Sequence, residues 1–158
     1  RLLWDEAAAA VATRSGLVAY AGTNLPWPLR HRVDGSPRRV LYVSLNGKPD
    51  RFDQHATRWH ADGLARAQCP EPAFYRRHRE PGAWLQAMVS AGVETLVVTQ
   101  LTGVQRLNIE HDTDGFPIER AWADQVLAPV LVTEAARAYA VPRSVPADAE
   151  SMSKSERQ

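Results

Sequence analysis

"PGAWLQAMVSAGVETLVVTQL", residues 81–101, decides how this chain folds. Its first part carries Trp84, Leu85, Met88 and Val89 at the three- and four-residue spacing of one helical face. Glu80 precedes it. Pro81 suits the first turn, where a missing N–H costs nothing, and Gly92 suits the end. "VETLVVTQL" (93–101) follows with no spacer and reads as an apolar strand. Helix, glycine and apolar strand in immediate succession are the signature of an α/β unit. The expected fold is therefore α/β: a single small domain over residues 1–142, with a mixed sheet of about five strands flanked by helices.

The same reading extends to both sides. Upstream, "LLWDEAAAAVATRS" (2–15) is rich in the best helix former and ends at Gly16. "LVAYA" (17–21) is short and apolar, a buried strand by length. "GTNLPWPLRHRVDGSP" has three prolines and two glycines and reads as a loop. "RRVLYVSLN" (38–46) is the clearest strand of the first half. Residues 53–67 can form a helix with Asp53 as its cap and Gly63 as its weak point, and 69–81 read as irregular. Downstream, "PIERAWADQ" (117–125) reads as a short helix. "APVLVTE" (128–134) and "ARAYAVP" (136–142) read as a hairpin turning at Glu134 and Ala135. Residues 143–158 lack apolar periodicity and are expected to form a disordered tail.

Bulk properties exclude several classes. The chain has 158 residues, 44% of them hydrophobic, which suffices for one core without disulfides or metals. A formal net charge of +1 gives no reason to expect a nucleic-acid partner. Cys69 is the single cysteine, so no internal disulfide can form. No stretch reaches the roughly 18–20 apolar residues that span a bilayer, and no signal peptide is visible. The start at Arg1 rather than Met suggests a piece of a longer chain.

Two stretches carry chemistry. "IEHDTDGFPIERAW" (109–122) places Glu110, His111, Asp112 and Asp114 within five positions, and Asp112-Thr113-Asp114 spells a D-x-D that can hold a divalent metal. A turn explains the same residues. Asp114-Gly115 is a turn dipeptide, Pro117 suits the first turn of the next helix, and Glu119 complements its positive end. The turn is the preferred reading, with no metal and no cofactor expected. The second stretch is "YAGTNLPWPL" (20–29), where a strand runs into Gly22-Thr23-Asn24. Strand ends are where α/β folds place ligands, and Gly22 permits close backbone approach. The second strand likewise runs into Asn46-Gly47. If the two strands are parallel, both ends meet at one edge of the sheet. The ligand-binding candidates are accordingly Tyr20, Asn24, Trp27 and Asn46, with Asp114 as a rim group. Amides suit paired sugar hydroxyls and Trp27 suits a ring face. His55 and His60 miss the i, i+4 register of a zinc helix, and Cys69 has no sequence-adjacent base.

The order of "AYAGTNLPWPL", "RRVLYVSLN", "WLQAMVSAGVETLVVTQ", "DGFPIERAWAD" and "RAYAVP" resembles the C-terminal soluble region of certain bacterial multi-pass membrane proteins. Those are similar to glycosyltransferases that use lipid-phosphate-linked sugars, of the mannosyl- and arabinosyltransferase type. The resemblance covers roughly residues 17–142. Trp84-Leu85, Ala91-Gly92-Val93 and Arg137 to Val141 fit its form, whereas the Gly-x-x-Leu-x-Asn-x-Val expected before the second strand is absent. It implies a location on the extracytoplasmic face of the bacterial cell membrane, anchored through a portion of the parent chain not present here. The superfamily's catalytic carboxylates lie in loops between membrane helices, so it implies a non-catalytic accessory domain. Such a domain would position or recognise a glycan or lipid-linked sugar acceptor, or a partner. The alternatives are a free-standing metal-dependent enzyme using Glu110, His111, Asp112 and Asp114, and a structural interaction module.

Overall fold

The computed structural model describes residues 5, 8, 9, 11–22, 29, 31, 32, 34–43, 45, 80–107 and 110–144. The expectations for a helix at 53–67, an irregular stretch before Pro81 and a disordered tail lie outside them, apart from Glu80, Arg143 and Ser144. The described residues form one small α/β domain. Its mixed sheet contains β1 (Leu17–Ala21), β2 (Val40–Tyr42), β3 (Val93–Thr99), β4 (Pro129–Val132) and β5 (Ala136–Ala140). The helices are α1 (Pro81–Ser90), α2 (Gly103–Arg106) and α3 (Ile118–Val126). Residues 5, 8, 9 and 11, within the expected first helix, are helical as well.

The sheet runs β2-β1-β3-β5-β4. β1 is parallel to both β2 and β3, with Tyr20 opposite Tyr42 and Val97. β3 pairs antiparallel with β5, and β5 with β4, so the last two strands are the expected hairpin. β3 lies at the centre, and all its residues but Glu94 are buried. A strand covered on both faces needs apolar side chains at most positions, which explains the Leu96-Val97-Val98 run at its middle.

Each face of the sheet has its own core. One face carries Ala19, Ala21, Leu41, Val43, Leu96, Val98 and Tyr139 beneath Trp84, Leu85 and Met88 of α1 and Ala123 of α3. The expected helical face is thus the buried one, with Val89 only partly covered. Trp84 anchors it, donating from Nε1 to the Val43 carbonyl at 3.1 Å and meeting Trp122 edge-on at 6.1 Å. The other face carries Val18, Tyr20, Val40, Tyr42, Val97 and Ala138, packed with Val11 and Leu29.

Three elements differ from the sequence reading. β2 is three residues long, not nine; just before it the Arg38 side chain turns inward to main-chain carbonyls. Pro117 stands one position before α3 as its extended N-cap residue rather than in the first turn. α2 was not foreseen; its Thr102/Gln105 capping box satisfies two N–H donors at the start of one short turn.

Candidate functional site at the carboxyl edge of the parallel strands

Because β1, β2 and β3 are parallel, their carboxyl ends leave the sheet at one edge. Gly22 follows β1 there with φ 103°, in the left-handed region. A Cβ on Gly22 would collide with the carbonyl and hydroxyl oxygens of Thr99, the last residue of β3. Only glycine allows the two strand ends to approach this closely.

The segment after β3 ties the acidic turn to this edge. Gln100 donates from Nε2 to the Asp114 carbonyl at 2.8 Å, and Leu101 N–H donates to the Gly115 carbonyl at 2.9 Å. The turn is a tight hairpin: Gly115 N–H donates to the Asp112 carbonyl, Asp112 N–H to the Phe116 carbonyl, and His111 bridges Pro117. Asp114 also accepts the Phe116 N–H at 3.2 Å. Gly115, at φ 81°, lies against the Arg106 guanidinium, where a side chain would not fit.

Arg120 gathers the carboxylates. Its Nη2 lies 2.7 Å from Asp112 and 3.0 Å from Asp114, and its Nη1 lies 3.5 Å from Asp124. The other Asp124 oxygen accepts the Tyr139 hydroxyl at 2.8 Å. Burial, and then the bond to Asp124, pushes the Tyr139 phenol well above its ordinary range, so it remains a donor. Arg120 and Arg137 each stand 5.7 Å from the Phe116 ring centroid. Among the described residues, no group of three or more His, Cys, Asp and Glu side chains is arranged to hold a metal ion. Asp112 and Asp114 face a guanidinium instead.

Glu119 is fully buried, and its carboxylate accepts the Leu45 N–H. Its first-turn position on α3 matches the sequence reading, but the side chain reaches across to fix the chain just after β2. A buried carboxylate is tolerated only when hydrogen-bonded, so this contact locks the third strand end into the same edge.

The sequence-named residues distribute unevenly. Asp114 sits at the edge with a half-exposed side chain. Tyr20 is a core residue, 4% exposed, with its ring 5.0 Å from Tyr42. Asn24, Trp27 and Asn46 lie outside the described residues. Glu110 and His111 are exposed on the hairpin. Phe116 is buried and faced by two arginines, so it offers no open stacking platform. Arg120, Glu119 and Tyr139 were missed as organisers of the edge. Arg120 and Asp124 do have a legible signal, the i, i+4 pairing on α3. Compared with protein-family models, with curated proteins and with solved structures, the chain gives no match.

Proposed function

We propose that this chain is a non-catalytic, extracytoplasmic accessory domain of a membrane glycosyltransferase-like protein, and that it positions or recognises a glycan acceptor. The observation that carries the reading is the parallel arrangement of β1 and β2, whose carboxyl ends, Ala21 and Tyr42, leave the sheet at one edge. In sequence, both strands run on into the amide-bearing and aromatic residue types that sugar recognition uses, while the carboxylates of the acidic turn are held by Arg120. Carboxylates clamped to a guanidinium are poorly placed to collect a divalent cation or to exchange protons with a substrate. No helix among the described residues is long and apolar enough to cross a membrane. The attachment to a membrane portion and the extracytoplasmic side therefore rest on the family resemblance.

The test pairs binding with turnover. Short mannose- or arabinose-containing oligosaccharides should bind the isolated chain at millimolar concentration in calorimetry or saturation-transfer NMR. The chain should neither hydrolyse nor extend them when given a lipid-phosphate sugar and Mg²⁺ or Mn²⁺. Turnover by the chain alone would overturn the non-catalytic assignment, and absence of binding would overturn glycan recognition.

A further inference from the structure

The opposite edge of the sheet, where the parallel strands begin, carries a second unusual arrangement. A tight hairpin, in which Arg32 N–H donates to the Ser36 carbonyl and His31 bridges Pro37, brings Arg32 and Arg38 to this edge. Arg38 is 2% exposed. Its Nη2 donates at 2.8 Å to the carbonyls of both Val11 and Arg14, at the end of the first helical segment. Arg32 is half-buried, and it donates to the Ser15 carbonyl at 2.9 Å and the Ser36 hydroxyl at 3.2 Å.

These contacts leave three buried guanidinium nitrogens without a partner: Nε and Nη1 of Arg38, and Nε of Arg32. Neither arginine forms an ion pair with a carboxylate among the described residues. Asp34 is the nearest acid in sequence, but its carboxylate accepts the Ser36 N–H at 2.9 Å at the exposed tip of the hairpin. Burial, and then the neighbouring Arg32 charge, lowers the Arg38 pKa below its ordinary value. Guanidinium stays protonated in proteins, so burying one with unsatisfied N–H groups is costly, and an anion accepting from those groups would offset the cost.

We propose that Arg32 and Arg38 bind a phosphate monoester or inorganic phosphate at the edge where β1, β2 and β3 begin. Two guanidinium charges and the four N–H groups on these three nitrogens suit a tetrahedral dianion, which offers at least three oxygens. A single carboxylate would neutralise one charge and leave donors over. The half-exposed Arg32 is the side from which the anion enters. This site does not depend on the glycan reading, because it lies at the other end of the strands.

The test uses calorimetry with inorganic phosphate at constant ionic strength, with chloride as the control. Saturable binding is expected. Arg32→Gln should weaken it about tenfold or more, the loss of one charge-assisted hydrogen bond, while leaving the far-UV spectrum unchanged. Arg38→Lys keeps a cation that can reach the helix-end carbonyls but removes two of the free nitrogens, and it should weaken binding as well. Phosphatidylcholine vesicles with and without phosphatidic acid separate the sources. Phosphate-reversible binding to the phosphatidic acid vesicles alone would identify a lipid phosphomonoester; no vesicle binding beside phosphate binding would identify a free one. A chain that binds phosphate no better than chloride, or an Arg32→Gln variant that binds like wild type, would overturn the site.

Discussion

Arg120 is the residue on which the acidic turn depends, and its removal has two separable consequences. Its partners are partly exposed, with side-chain accessibilities of 38%, 43% and 32%, so each pair contributes little alone. Three carboxylates left without their shared cation would repel one another. Arg120→Ala should therefore cost about 1–2 kcal/mol in urea unfolding. It should also create an Mn²⁺ affinity that the wild type lacks, so wild-type melts with and without Mn²⁺ should coincide while the variant's rise. A wild-type rise of several degrees, abolished in Asp112→Asn, would make the turn a metal site after all. Tyr139 gives a pH prediction. Its folded pKa is raised above the unfolded value near 10, so the protonated hydroxyl stabilises the fold fully below that value. Stability must then decline as pH rises beyond about 10. In an ultraviolet titration, Tyr139→Phe should remove the phenol that ionises last and flatten the decline. An unchanged profile would mean that Tyr139 ionises like an exposed tyrosine.

At the scale of elements, α1 and β3 are the pair on which both readings agree. Their signals are physical and local: a helical apolar face, a proline at the entry, a glycine beyond the exit, and an apolar run too short for another helix. Leu85 is 1% exposed and lies in the core under α1, so Leu85→Ala should cost about 2–5 kcal/mol. Trp84 emission should be blue-shifted and shielded from iodide. A neutral Leu85 variant with a freely quenched Trp84 would contradict the packing. The terminal hairpin was legible for the same reason, from two apolar runs around a short polar turn. The limits of β2 were not, because an apolar run does not encode how many of its residues find a partner strand, and only Val40, Leu41 and Tyr42 pair with β1. The α2 turn was missed because four residues give too little periodicity to detect. β4 explains its own exposed valines. It begins with Pro129 and shifts register before Leu131, and both features blunt an outer strand against further pairing.

The whole molecule is where the site was only half legible. The sequence placed two strand ends rich in amides and glycine near one another, conditional on a parallel pairing that it could not determine. The pairing is parallel, and at the same edge Gly22 after β1 also lies close against Thr99 at the end of β3. A Gly22→Ala variant should lose roughly 1–3 kcal/mol, since its side chain would meet backbone at a left-handed φ; a wild-type melting curve would show that the edge is looser than described. Tyr20 is the instructive difference. Alternation along β1 puts it on the face opposite Ala19 and Ala21, beside Tyr42 and within the core. Its nearness in sequence to the strand end therefore said nothing of its exposure. The Arg120 contact with Asp112 and the Glu119 contact with Leu45 were hidden for another reason: the partners lie 8 and 74 residues away, and only the folded chain unites them.

Recognition of a glycan at the carboxyl edge of β1 and β2 is the central claim, and a chemical-shift map tests it most directly. Isotopically labelled chain would be titrated with short mannose- or arabinose-containing oligosaccharides. The account predicts shifts confined to residues 20–28 and 44–48, with Asp114 at their rim. Shifts centred on residues 110–113, or none at millimolar sugar, would contradict it.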